Sequence, residues 1–152
     1  MKSVKLIFAF AVLVFVVSGS GIGFSETGKG NLKVVIKNLV NDKGNVKIAL
    51  FNSEENYSDK KAVPFRVMQI EIKGKQAEYV FEKLSYGEYA FKLFHDENNN
   101  GVMDTNLVGI PTEEYAFSNN AKGSFGPAKY AKAKFILDKP ELVMNIEMNS
   151  AE

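Results

Sequence analysis

Past Gly30 the apolar positions recur with a period of two. In "LKVVIKNL" (Leu32 to Leu39) the alternation is partial, and in "NVKIALFN" (Asn45 to Asn52) Val46, Ile48 and Leu50 share one face. "RVMQIEI" (Arg66 to Ile72) sets Met68, Ile70 and Ile72 opposite Val67, Gln69 and Glu71. "AEYVFEKL" (Ala77 to Leu84) and "EYAFKLFH" (Glu88 to His95) continue the pattern. "AKFIL" and "ELVMNIEM" close it, with Leu142, Met144, Ile146 and Met148 in phase. Successive side chains of a strand point to opposite faces, so these runs predict an all-β fold, an antiparallel β-sandwich of about seven strands.

The punctuation between the runs agrees. "NDKGN" (Asn41 to Asn45) and "KGK" (Lys73 to Lys75) place glycine where a hairpin needs positive φ, and "DKP" (Asp138 to Pro140) is a proline turn. "SEENYSDKKAVP" (Ser53 to Pro64) has room for one helical turn but is expected to be irregular. The segment from Asp96 to Lys132 is different, because "EEYAFS" (Glu113 to Ser118) is its only strand-like piece. Unstructured connections of that length are uncommon in compact domains. Val108, Ile110, Tyr115, Phe117, Phe125 and Tyr130 give it more apolar surface than a disordered linker tolerates, so it is expected to pack on the sandwich as a long ordered insertion.

The first residues obey another pattern. Lys2 and Lys5 precede an unbroken apolar run, Leu6 to Val17, and "SGSGIGFSET" follows with small residues, which is the layout of a secretory signal. The run is too short to span a membrane, which takes about 20 residues. Residues 1–25 are therefore expected to be a signal peptide, with an uncleaved anchor as the alternative, and 26–152 a single domain. Export to the periplasm or the cell surface follows, with no stable membrane span after cleavage. Removing 1–25 takes away two lysines and no acid, which leaves 17 basic against 18 acidic groups and moves the formal charge from +1 to −1. Such a balanced surface lacks the basic stripe of a nucleic-acid binder. With no cysteine, stability must come from a core and not from disulfides.

Candidate chemistry concentrates in "HDENNNGVMDTN" (His95 to Asn106). Asp96, Asn98 and Asn100 stand at positions 1, 3 and 5 of a calcium-type loop, Gly101 at the sharp-turn position 6, the Val102 carbonyl at 7 and Asp104 at 9. Position 12 is Leu107 where an EF-hand needs a bidentate glutamate, and the loop follows a strand, so an EF-hand is rejected. A looser calcium loop on a β-scaffold remains, with Glu113, Glu114 or water completing the shell. The competing explanation is a plain turn, since Asn and Gly tolerate left-handed backbone. His95, the only histidine, shares the inward face with Tyr89, Phe91 and Leu93. A rim histidine bonded to backbone is favoured over a general base, and a zinc site would lack its usual ligands. No G-x-S-x-G accompanies Ser118. The enzyme or small-ligand alternative is a pocket formed by His95, Tyr115, Asn119 and Asn120.

"LSYGEYAFKLFHDENNNGVMDTNLVGIPTEEYAFSNNAKGSFGPAKYAKAKF" resembles the signature of a bacterial family, domain of unknown function 2141, most specifically in its "FHDENNNG", "GIP" and "FSNNAKGSFGP" blocks. The resemblance covers about residues 31–148. Ala116 stands where the family often has glycine, and Ala128 where a second proline is common. The resemblance implies an exported, β-rich, immunoglobulin-like or prealbumin-like domain and brings no catalytic residues. The expectation is a non-catalytic binding or structural module of the cell envelope with a low-affinity calcium loop, whose partner would be an envelope protein or glycan.

Overall fold

The computed structural model describes residues 28–124 and 126–149; the signal-like segment 1–25 and Phe125 lie outside them. Eight strands form: β1 (Lys29–Lys37), β2 (Asn45–Phe51), β3 (Arg66–Ile70), β4 (Ala77–Ser85), β5 (Gly87–Asp96), β6 (Tyr115–Phe117), β7 (Phe135–Leu137) and β8 (Glu141–Glu147). Seven of them are the alternating runs, and β6 is the strand-like piece of "EEYAFS". Two short helices, α1 (Glu54–Ser58) and α2 (Tyr130–Ala133), and a 3-10 turn (Ser118–Asn120) are the other elements among the described residues.

The strands make two sheets, a smaller one in the order β4-β1-β8 and a larger one in the order β3-β2-β5-β6, with β7 also on β5. Leu32, Val34 and Ile36 of β1 face Val46, Ile48 and Leu50 of β2 and Phe91 and Leu93 of β5 across a shared core. In β4 the period of two holds through Phe81 and then breaks. Lys83 takes a φ of 54°, Gly30 pairs with Leu84 while Leu32 pairs with Phe81, and the bulge returns Leu84 to the core.

The wholly antiparallel expectation needs correction. β1 pairs with β8 in parallel, Asn31 opposite Glu141 through Lys37 opposite Glu147. Asp138–Pro140 carries the chain from β7, on β5 of the larger sheet, to β8 in the smaller one instead of closing a hairpin between them. Asn31 N–H fixes the crossing by donating to Pro140 O at 2.8 Å.

The Ser53–Pro64 stretch also departs from expectation, because it contains a capped turn of helix. Ser53 Oγ accepts from Asn56 N–H, and Tyr57 is buried. α1 and α2 cover the outer face of the larger sheet, where Phe51, Tyr57, Ala90, Phe117, Tyr130 and Ala133 form a second apolar cluster. β5 is thus enclosed on both faces, which explains why burial continues along it instead of alternating with exposure.

The long insertion packs only in part. Phe117 and Tyr130 are buried, but Val108 is 78% and Ile110 48% exposed, contrary to the expectation that the whole segment lies on the sandwich. Thr105 and Pro111 form an antiparallel bridge, so the intervening residues close a small finger on themselves.

Candidate functional site

The loop opens where β5 ends. In register, Asp96 lies opposite Asn45 and His95 opposite Val46, so β2 forms one wall of the site. The Asp96 carboxylate is fully buried. Its Oδ1 accepts from Asn100 N–H at 3.0 Å and its Oδ2 from Gly101 N–H at 2.9 Å, which draws the chain back over the strand end. Gly101, with φ 86°, makes the sharp bend there. Lys47 Nζ of β2 stands 3.6 Å from Asp96 Oδ2.

The other loop side chains converge on Asp104. Asn98 Nδ2 donates to Asp104 Oδ2 at 2.6 Å and Asn100 Nδ2 to Asp104 Oδ1 at 2.9 Å. The carbonyl ends of the same amides accept backbone N–H groups, Asn98 Oδ1 from Asn100 and Asn100 Oδ1 from Val102. Val102 itself has its side chain 61% exposed. Glu113 ties the loop's two ends together, accepting from Glu97 N–H and Asp104 N–H at 3.0 Å each. Among the described residues no three His, Cys, Asp or Glu side chains are grouped to hold a metal, so a cation here would depend on amide and backbone oxygens as well.

Sequence reasoning missed Asn45, Lys47 and Asn99. Asn45 is 4% exposed, its Nδ2 donates to Asn99 Oδ1, and its own Oδ1 has no hydrogen-bond partner. Only the β2–β5 register brings Asn45 and Lys47 to the loop, and nothing in the local sequence signals it.

The four residues of the alternative pocket have separate structural duties. His95 has no exposure; its Nε2 lies 2.7 Å from Lys43 O and its Nδ1 3.2 Å from Glu114 Oε2, which also accepts Val40 N–H. Tyr115 is half-buried and bridges to Asn149 through reciprocal backbone bonds. Asn119 Nδ2 donates to the carbonyls of Ala133 and Lys134 at 3.2 and 2.7 Å. Asn120 donates to Asn145 O and accepts from Glu147 N–H. Ser118 is likewise committed, accepting from Phe91 N–H and donating to Ala133 O. A concavity between β3 and β4, lined by Val35, Gln69, Ile70, Glu71 and Tyr79, includes none of these residues.

On the larger sheet's outer face, Lys92 Nζ donates to Tyr57 O at 2.6 Å and lies over the rings of Tyr57 and Phe51. Burial lowers the Lys92 amine from its ordinary range and pushes the Tyr57 phenol up to about 12. These groups hold α1 to the sheet.

No curated protein and no solved structure matches the chain. A family model, described as uncharacterized protein conserved in bacteria (DUF2141), matches residues 34–145, a span that runs from β1 into β8 and includes the whole Asp96–Asp104 loop. The chain belongs to this bacterial family.

Proposed function

We propose that this chain is an exported, non-catalytic module of the cell envelope, an immunoglobulin-like or prealbumin-like sandwich whose Asp96–Asp104 loop takes one calcium ion at low affinity. The observation that supports the metal reading is that the loop folds its oxygen-bearing positions together, with the Asn98 and Asn100 side chains gathered on the Asp104 carboxylate. Two amide groups, from Asn98 and Asn100, already face its carboxylate. Turning either amide about its last bond would present an oxygen to a hard cation there, at the loss of the bond its Oδ1 accepts from Asn100 N–H or Val102 N–H. The unpartnered, buried Oδ1 of Asn45, whose amide holds Asn99, is a second polar group at this loop with unspent acceptor capacity.

Low affinity is consistent with the charges. Only Asp96 and Asp104 of the loop's five predicted ligand positions are anionic, and the Lys47 ammonium beside Asp96 opposes a second cation. The expected dissociation constant is about 0.2 mM, within the range of extracellular modules. The ion would serve to stabilise the strand end. The non-catalytic part of the proposal is supported by His95 and Ser118, the candidate base and nucleophile, both being fully buried and bonded to backbone. Export is supported by the signal-like layout of residues 1–25.

Differential scanning fluorimetry of the exported chain, with calcium or with chelator, tests the metal. At about 2 mM calcium the gain is about 1.4 kcal/mol, or about 4–6 °C in melting temperature. Asp104→Ala keeps the backbone-capping carboxylate of Asp96 and is expected to abolish the response. A wild-type melting temperature that stays flat up to about 5 mM calcium overturns the metal reading.

A further inference from the structure

Asn100 is the one asparagine of the sequence that glycine follows. Such a pair is chemically labile. The backbone nitrogen after an asparagine can close a cyclic imide on the carboxamide carbon, and glycine has no Cβ to crowd the approach. The fold itself selects glycine at this position. Gly101 has a φ of 86°, whereas an added Cβ would make only an ordinary contact, with Lys47 Nζ at 3.7 Å, so the backbone angle and not crowding is the reason. Asn100 is exposed, which lets water in and ammonia out.

The folded loop opposes the closure at both reacting atoms. The nucleophile, Gly101 N–H, donates to Asp96 Oδ2 at 2.9 Å. That nitrogen attacks only after giving up its proton, and the buried negative carboxylate beside it disfavours a second negative charge there. The electrophile is held as well. Asn100 Oδ1 accepts from Val102 N–H and Asn100 Nδ2 donates to Asp104 Oδ1, each at 2.9 Å, so rotation of the carboxamide breaks these bonds. Asn100 N–H is bonded in turn to Asp96 Oδ1 and Asn98 Oδ1 at 3.0 Å each, which fixes the chain just before the labile link.

We infer that Asn100–Gly101 is a site of spontaneous succinimide formation that the fold keeps latched, with the Asp96 carboxylate as the latch. When the loop opens, Gly101 N loses its proton to solvent and bonds to Asn100 Cγ. The Cγ–Nδ2 bond breaks, and Nδ2 takes up a proton and leaves as ammonia. Water then opens the imide at either carbonyl, which gives aspartate or isoaspartate at position 100. The product does not regain the native loop, because the Nδ2 donor to Asp104 is gone and two carboxylates stand in its place. A chain that has once opened at the end of β5 is thereby marked permanently. The chemistry uses no cation and is independent of the calcium reading.

The test follows the mass gain of amide-to-acid conversion, with peptide mapping and isoaspartate analysis, in mildly alkaline buffer containing chelator. The wild-type exported chain is expected to convert at least about tenfold more slowly folded than unfolded in urea. Asp96→Ala, its folding checked by a cooperative melt, is expected to convert at Asn100 at least about tenfold faster than wild type. Asp96→Asn keeps the shape and gives up the charge, and it is expected to convert at Asn100 at least about threefold faster, which tests the latch even where Asp96→Ala does not fold. Folded wild type that converts as fast as the unfolded chain overturns the latching. A wild-type rate in Asp96→Asn overturns the role of Asp96, and conversion that maps to another of the native asparagines overturns the site.

Discussion

His95 and Asp96 are consecutive, and both side chains are fully buried, although the alternation of a strand points them to opposite faces. Each ends β5 in a different way. His95 points inward and joins Lys43 O to Glu114, while Asp96 folds the following loop back over the strand by accepting two backbone N–H groups. Removing the imidazole leaves Lys43 O short of its side-chain partner and takes from Glu114 Oε2 one of its two partners, Val40 N–H remaining. His95→Ala is accordingly expected to cost about 2–4 kcal/mol, read as a lower midpoint in urea unfolding with unchanged slope. A change below about 0.5 kcal/mol would mean that the two bonds are not made in solution. The inward direction of His95 was legible in the sequence, from Tyr89, Phe91 and Leu93 at the same period. Its partners were not, since Lys43 lies in the turn before β2 and Glu114 before β6.

At the scale of elements, "SNN" is a seam. Ser118 binds β5 to the end of α2, Asn119 binds the carbonyls after α2, and Asn120 pairs with β8 as a neighbouring strand would. Asn119 and Asn120 both lie in the left-handed region, at φ 60° and 51°, where asparagine is better tolerated than most residues. The Asn120 amide covers an otherwise open edge of β8, at Asn145 O and Glu147 N–H. Asn120→Ala should therefore cost about 1–2 kcal/mol and raise amide exchange at Glu147 more than at β1. The opposite ranking by hydrogen exchange would remove this role. Sequence alone marked these residues as polar and turn-forming, and it offered them equally well as pocket residues. Which use they serve depends on what α2 and β8 bring to them, and both elements come later in the chain. The helical turn of α1 was closer to legible, for Ser53 followed by two glutamates is a helix-start pattern; its anchor Tyr57 is understood only once the sheet face it covers exists.

The whole molecule is a sandwich with a second, thin layer on one side, and that layer contains ionisable groups under strain from burial. The Tyr57 and Tyr130 phenols are pushed up to about 12, Tyr57 by burial and Tyr130 by burial and the nearby Glu88. A phenol with its folded pKa above its ordinary 10.0 contributes fully below that value and loses the contribution as pH climbs toward about 12. Lys92 acts in the opposite sense, since burial holds its amine below 10.5 and relieves a cost as pH rises toward that value. Melting of wild type and Tyr57→Phe from about pH 9 to about pH 12 separates them. The variant should be about 1 kcal/mol less stable at neutral pH, having lost the bond from Tyr57 Oη to Ala128 O, and should fall less steeply in alkali. Parallel alkaline slopes would place the titrating groups elsewhere. What the sequence by itself determined is set by local physics: a period of two that makes strands, glycines that make turns, and a loop of spaced oxygens after β5. Only the tertiary structure decided that β8 runs parallel to β1, that Asn45 and Lys47 wall the loop, that His95 and the asparagines are spent on backbone, and that Leu107 and Val108 stand free. Each of these depends on which distant segment lies alongside, and alternation carries no information about strand order, direction or what covers a face.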